Sequence, residues 1–152
     1  MTSSGTPGHD LDANVAVVRA LVEQVVNGRD DAALDRVLSD DFVAHGVGPG
    51  MPPGKDGMRA LLRAWRRGFP DWQDTIEDIV AQHDLVVLRI AASGTHLGPI
   101  AGIAPTGEHV SWNMIEIVRV RDGRICEQWG QSDFPAVLDH LRSVSAGSER
   151  HG

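Results

Sequence analysis

The sequence has 152 residues, 41% of them hydrophobic and 23% charged, which is enough to bury the core of one globular domain. Its formal net charge of −7 argues against nucleic-acid partners and against binding to an anionic membrane, because both would repel an acidic protein. The single cysteine, Cys126, excludes an internal disulfide and fits a reducing compartment. We see no secretory signal in residues 1–9 and no apolar run of membrane-spanning length, so we expect a cytoplasmic protein.

The first half of the sequence is predicted to be helical. Apolar residues recur at helical spacing after Asp12, and again after Asp30 or Asp31, and an aspartate suits the N-cap because its carboxylate accepts from free helical N–H groups. The segment 46–54 holds four glycines and three prolines and is predicted to be a loop. A third helix follows, with Trp65 on its apolar face and arginines on the other.

The second half of the sequence is predicted to be a sheet. After residue 70 the apolar period changes from 3.6 to 2, which is typical of strands, and Asp122-Gly123 is a strong hairpin signal. Asp133 precedes a short terminal helix, and the N-cap is the preferred role for its carboxylate. Helices followed by a run of strands predict an α+β fold with the helices on one face of the sheet. The predicted strands are 72–80, 85–93, 109–121 and 124–132.

Both ends of the sequence are predicted to be disordered tails. Residues 1–9 and 144–152 are dominated by small and polar residues, which bury too little apolar surface to be held in place. The domain is therefore expected to span residues 10–143, with no internal repeat and no second domain.

Several turn and cap sequences resemble the landmarks of the SnoaL-like polyketide cyclase family. In this order and spacing they cover nearly the whole chain: Asn27-Gly28-Arg29-Asp30-Asp31, Gly94-Thr95-His96-Leu97-Gly98, Pro105-Thr106-Gly107 and Arg121-Asp122-Gly123-Arg124-Ile125. The resemblance implies a nuclear-transport-factor-like cone, in which a strongly curved antiparallel sheet wraps around three N-terminal helices and encloses an apolar cavity. It also implies a homodimer formed through the open face of the sheet.

The family's aldol cyclases are understood to use no metal and no organic cofactor, so none is expected here. An aspartate on the last strand acts as acid and base, helped by a histidine on the long strand before it. In the register that the resemblance implies, Glu116 stands where the family has the histidine and Gly130 where it has the aspartate. A glycine cannot transfer a proton, so the standard cyclase mechanism cannot be carried over unchanged.

The alternation of the two last strands points to a substitute. It places Trp112, Met114 and Glu116 on the cavity side of the long strand, with Gln128 and Gly130 beside them on the next strand. The apolar neighbours of Glu116 would desolvate its carboxylate and raise its pKa, which suits a general acid or base near neutral pH. The alternative for Glu116 is an ordinary cross-strand ion pair with an arginine.

Other candidate site residues carry weaker arguments. His45 borders the cavity mouth, where it would either shuttle a proton or serve as a structural, hydrogen-bonded histidine. His96 would anchor a turn or contact substrate, and Trp65 and Trp112 would form an aromatic wall for a polycyclic aromatic substrate. We expect no metal site, because His45, His96 and Glu116 do not lie at local ligand spacing.

Three functions are compatible with these residues. The changed acid/base positions favour an aromatic polyketide-modifying enzyme of antibiotic biosynthesis that hydroxylates a ring, as in the anthracycline hydroxylase branch of the family, and such an enzyme could require a partner reductase. The alternative is a cofactor-free cyclase whose base is Glu116 or His45. The second alternative is a non-catalytic small-molecule binding protein.

Overall fold

The computed structural model describes residues 10–46 and 52–150, with side chains through residue 148. The predicted tail at 1–9 and most of the predicted Gly/Pro loop lie outside the described residues. No helix in the described ranges is long and apolar enough to cross a membrane.

Three helices belong to the N-terminal half. Helix α1, Leu11–Ala20, begins at Asp10, whose carboxylate accepts from the Ala13 N–H at 3.0 Å, so Asp10 and not Asp12 caps it. It continues as a seven-residue π-helical segment, Leu21–Asn27, whose wider turn presents apolar residues to the interior. The other two helices are α2, Asp31–Val37, capped by Asp30 as predicted, and α3, Lys55–Gly68.

The last helix corrects the predicted C-terminal tail. Helix α4, Phe134–Arg150, runs through most of the segment 144–152 that was expected to be disordered. Leu141 is fully buried, and Val144 and Ser145 are half-buried, so packing supports the turns that the small, polar composition disfavours. Asp133 precedes this helix as predicted, but its carboxylate accepts from the Asn113 backbone N–H at 2.7 Å instead of capping the helix.

The sheet has five strands in the order β1-β5-β4-β3-β2 and is not closed. The predicted hairpin at Asp122-Gly123 is confirmed, and the four strands β2, β3, β4 and β5 pair antiparallel. The first strand corrects the prediction of an all-antiparallel sheet, because it pairs with β5 in parallel. No hairpin joins it to a neighbour, and α3 lies between it and β2 in the chain. The strands are β1, Leu38–His45; β2, Gln73–Gln82; β3, Leu85–Thr95; β4, His109–Arg121; and β5, Arg124–Ser132.

The two faces of the sheet have opposite characters. The inner face carries the core, with Val86, Leu88 and Ile90 fully buried on β3. The outer face carries an apolar row that crosses four strands through neighbouring register positions, Val80, Val87, Ile117 and Trp129, and ends at His45 on β1.

We propose that a second copy of the chain covers this outer apolar row. Val80 is 62% exposed, Ile115 54% and Ile117 39%, and the face also carries ion pairs of both signs, such as Arg89–Asp78. A patch of this kind is rare on a monomer. Arg119–Glu127 lies on the same face.

Sedimentation velocity at micromolar concentration should therefore show a dimer. The Ile117→Arg variant, which places a charge in the middle of the row, should sediment as a monomer with an unchanged circular dichroism spectrum. A wild-type monomer under these conditions would contradict a self-association role for the outer face.

Candidate active site

A cavity lies between the inner face of the sheet, the π-helical segment and helix α3. We call the deeper part of this cavity the inner chamber. It has about 550 Å³ of empty space, including the space at its opening. Two carboxylates, from Asp74 on β2 and Glu116 on β4, interrupt an otherwise apolar lining. The other residues that line it are Leu21, Val22, Val26, Met58, Leu61, Leu62, Trp65, Trp72, Ile90 and Met114.

A second, more open space adjoins the inner chamber and forms its mouth, the outer chamber. Leu61, Trp65, Met114 and Glu116 line both chambers, so Glu116 lies where they meet. The remaining lining comes from the ends of β1 and β5 and the start of α4, namely His45, Gly46, Gly130, Gln131, Ser132, Phe134 and Pro135.

Glu116 has the environment of a general acid or base. The pKa of its carboxyl is raised to about 7, first by burial and then by the negative charge of Asp74, while a hydrogen bond from Gln128 opposes the shift. The residue as a whole is half-buried. Within the described residues the Gln128 Oε1 has no hydrogen-bond partner, so it can accept a hydrogen bond from a neutral Glu116 or from a substrate hydroxyl.

The predicted interpretation of Glu116 as a simple ion pair with an arginine is not what the structure shows. The carboxyl faces the chambers, and Arg89 instead pairs with Asp78 on the outer face. The cavity-side orientation predicted from the alternation of β4 therefore agrees with the structure.

Asp74 is the site residue that the sequence reasoning missed. Its residue is only 6% exposed, the Trp72 Nε1–H donates to its Oδ1 at 2.8 Å, and burial raises the pKa of its carboxyl to about 6 against that hydrogen bond. Its backbone N–H and C=O both bind the side-chain amide of Asn27 at 2.8 Å. Strand β2 is an edge strand, so Asn27 replaces a missing neighbour there and fixes Asp74 to the end of the π-helical segment. The available signal was the alternation Trp72, Asp74, Ile76, which puts the carboxylate on the apolar face.

Gly130 lies directly opposite Glu116 in the β4–β5 register. A Cβ built at Gly130 would meet the Glu116 Cγ at 3.7 Å, an ordinary contact distance. The glycine therefore leaves open space beside the Glu116 side chain, and the position would accept a larger residue.

An aromatic cluster supports one wall of the cavity. Trp65 lines both chambers, and its ring centroid lies 4.3 Å from Phe134 and 5.1 Å from Trp112. Trp112 is 1% exposed and is not among the described residues that line either chamber. Trp112 therefore supports the wall from behind, which corrects its predicted contact with substrate, whereas Trp65 and Met114 lie where they were predicted to lie.

The structure does not bring His45 to Glu116. The imidazole Nε2 lies 2.8 Å from the Glu127 Oε2, and the ring stacks on Trp129 with centroids 5.0 Å apart. This pairing is on the outer face, and the hydrogen bond from His45 lowers the pKa of Glu127. His45 borders the outer chamber, but its imidazole binds Glu127 and stacks on Trp129, and it makes no hydrogen bond with Asp74 or Glu116.

His96 anchors a turn, which is one of the two roles predicted for it. It is fully buried, its Nδ1 accepts from the Thr106 N–H at 3.2 Å, and burial lowers its pKa. It is absent from the described lining of both chambers, which corrects its assignment as a substrate contact. The described part of the chain holds no group of three or more His, Cys, Asp or Glu side chains arranged to bind a metal ion.

The buried carboxyl of Glu116 should make stability depend on pH. A raised carboxyl pKa stabilises the fold below the unfolded value of 4.5, and that contribution is lost as the pH rises through about 7. Between pH 4.5 and 8.5 the free energy of unfolding of the wild type should therefore fall relative to Glu116→Gln by about 3 kcal/mol. Urea denaturation of both proteins at both pH values measures this difference, and equal pH dependence would show that Glu116 is not desolvated.

Comparison with known proteins agrees with this architecture. The sequence model of the SnoaL-like polyketide cyclase family matches residues 16–141. The crystal structure of IdmH from Streptomyces antibioticus, named as a candidate polyketide cyclase, is 34% identical with a TM-score of 0.74, covering 84% of this chain and 97% of IdmH.

Two proteins of Streptomyces galilaeus are also similar. AclR, named as a candidate hydroxylase, is 28% identical with a TM-score of 0.77 over 88% of this chain and 98% of AclR. The aklanonic acid methyl ester cyclase AcmA is 23% identical over 133 residues, which cover 86% of this chain and 92% of AcmA. The chain therefore belongs to the SnoaL-like polyketide cyclase family.

Proposed function

We propose that this protein is a cofactor-free cyclase of antibiotic biosynthesis that closes a ring of an aromatic polyketide by intramolecular aldol condensation, with Glu116 as the group that transfers the proton. The observation that carries the proposal is the Glu116 carboxyl at the junction of two apolar chambers, with a pKa of about 7. Such a carboxyl is ionised enough to remove a proton and basic enough to do so at neutral pH.

The proposed reaction needs one proton carrier. The Glu116 carboxylate removes a proton from a carbon flanked by carbonyl groups, which leaves an enolate on the substrate. The enolate carbon then forms a bond to a second carbonyl carbon of the same molecule, and the resulting alkoxide takes the proton back from Glu116. The walls supplied by Trp65 and Met114 would hold the planar substrate so that the two reacting carbons meet.

The carboxylates that line the inner chamber weaken the preference for hydroxylation. That preference depended on the loss of the family's aspartate at position 130, which removes the expected base. Two carboxylates nevertheless line the inner chamber, and Glu116 lies directly across the register from Gly130. A base displaced by one strand would still act on the same space, and the name of the relative AcmA describes a cyclase.

Ring hydroxylation is the second candidate. It is favoured by the open space that Gly130 leaves beside Glu116 and by the likeness to AclR, which is named as a candidate hydroxylase. In that reaction Glu116 would remove a phenolic or carbon-bound proton, and molecular oxygen with two electrons from a reductant would supply the new hydroxyl. The two reactions differ in mass balance, because the aldol product is an isomer of the substrate and the hydroxylation product gains an oxygen atom.

Turnover should depend on an ionised Glu116. On anthraquinone-type substrates with an acidic carbon between carbonyl groups, kcat/KM of the wild type should rise with pH through about 7, because only the deprotonated carboxylate removes a proton. Glu116→Gln should lower turnover by roughly 10²-fold or more and abolish this acid limb. The matched control is Glu77→Gln, which removes an exposed carboxylate from β2 and should keep wild-type rates.

Product analysis by mass spectrometry with and without oxygen and a reductant completes this experiment. An isomeric product formed without oxygen supports the cyclase, and a product that has gained oxygen identifies the hydroxylase instead. Substrate binding without turnover in either condition would mean a binding protein, and full activity of Glu116→Gln would remove Glu116 from the reaction.

A further inference from the structure

We propose that Asp74 is a positioning residue for the proposed reaction: its carboxylate, fixed at the wall of the inner chamber, makes Glu116 the stronger base of a coupled pair. The inference rests on the proposed function, and it assigns a role to a residue that the family's acid/base pair does not include.

The surroundings of the pair leave few other charges to act on Glu116. Asp74 on β2 and Glu116 on β4 are the carboxylates among the described lining of the inner chamber. The π-helical segment and α3 contribute apolar side chains such as Leu21, Val22 and Met58, and β5 contributes the neutral Gln128. Two like charges in an apolar chamber repel more strongly than they do in water, so the protonation state of each carboxyl changes the pKa of the other.

One hydrogen bond partly offsets the burial that disfavours the charged form of Asp74. The Trp72 indole N–H can only donate, so its 2.8 Å hydrogen bond needs an accepting oxygen on Asp74. The two Asn27 hydrogen bonds fix the backbone at the same residue, and the Trp72 hydrogen bond holds the carboxylate itself. The negative charge of Asp74 raises the pKa of Glu116, so the charged form of Asp74 makes Glu116 the more basic carboxylate.

The direct consequence is that neutralising Asp74 weakens Glu116 as a base. Without the neighbouring charge, Glu116 loses its proton at lower pH, and a weaker base removes a substrate proton more slowly once it is fully ionised. Asp74 would thus change the reaction through Glu116 and without a contact to the reacting carbon.

The test is the Asp74→Asn variant, which keeps the shape and the oxygen that accepts from Trp72. Carboxyl ¹³C NMR titration, assigned with Glu116→Gln, should show that the Glu116 signal titrates at lower pH than in the wild type, by roughly half a unit to one unit. The acid limb of kcat/KM should move by the same amount, with a few-fold lower rate on the high-pH plateau.

Three further variants separate this role from a structural one. Asp74→Glu keeps the charge, and its kcat/KM should have an acid limb at nearly the same pH as that of the wild type. Asp78→Asn removes a carboxylate from the outer face of the same strand and should leave the Glu116 titration unchanged. Asp74→Ser provides a second neutral variant if the asparagine variant does not fold.

The outcomes distinguish this inference from the proposed function. An unshifted Glu116 titration in folded Asp74→Asn would overturn the coupling even if the enzyme remains an aldol cyclase. A shifted titration in a protein that converts no substrate would support the coupling and overturn the proposed function.

Discussion

The arrangement of the site follows from one electrostatic constraint, the desolvation of carboxylates in an apolar cavity. Water stabilises an ionised carboxylate, and the inner chamber replaces most of that water with leucine, valine and tryptophan side chains. The pKa of Glu116 rises to about 7 and that of Asp74 to about 6 because the charged forms are disfavoured there. The same desolvation that makes Glu116 basic also makes the folded chain less stable at high pH, so reactivity and stability are opposed at this position.

The rest of the fold keeps the two carboxylates in place despite this penalty. Strand β4 is central in the sheet and gives Glu116 a rigid backbone between β3 and β5. Strand β2 is at the edge of the sheet, where Asp74 would be less firmly held. There the side-chain amide of Asn27 forms hydrogen bonds with both the backbone N–H and the backbone C=O of Asp74. A rigid frame of this kind lets a cavity hold charges that would otherwise move toward water.

The family likeness and the departure from the family can be understood together. The fold agrees with that of the SnoaL-like relatives, whereas Gly130 stands at the position where the resemblance places a catalytic aspartate. The directly paired residue across the sheet, Glu116, carries a carboxylate into the same space. Proton transfer depends on where the carboxylate reaches and on its basicity, so the chemistry can be retained while its position in the chain changes.

Local sequence patterns predicted most of the fold and the orientation of Glu116. Alternation along β4 and the Asp122-Gly123 turn each act within a few residues, so strand limits and inward-facing positions followed from them. The parallel pairing of β1 could not be predicted this way, since it depends on a contact between distant segments.

The same limit explains the errors at the site. His45 turned to Glu127 and Trp129 because of cross-strand partners that are 82 and 84 positions away in sequence. Asp74 was missed because its environment comes from Asn27, Trp72 and the far strand β4. Helix α4 extends into a segment of small and polar residues because Leu141, in the same helix, is buried against the core.

The role of Glu116 is tested most directly by a crystal structure of the protein with a planar polycyclic phenolic ketone, such as a hydroxyanthraquinone. We expect the ring system to lie against Trp65 and Met114, with a ligand oxygen or the activated carbon within hydrogen-bonding reach of the Glu116 carboxyl. A ligand bound elsewhere on an active protein, or one seated in the chambers with no group near Glu116, would contradict that role.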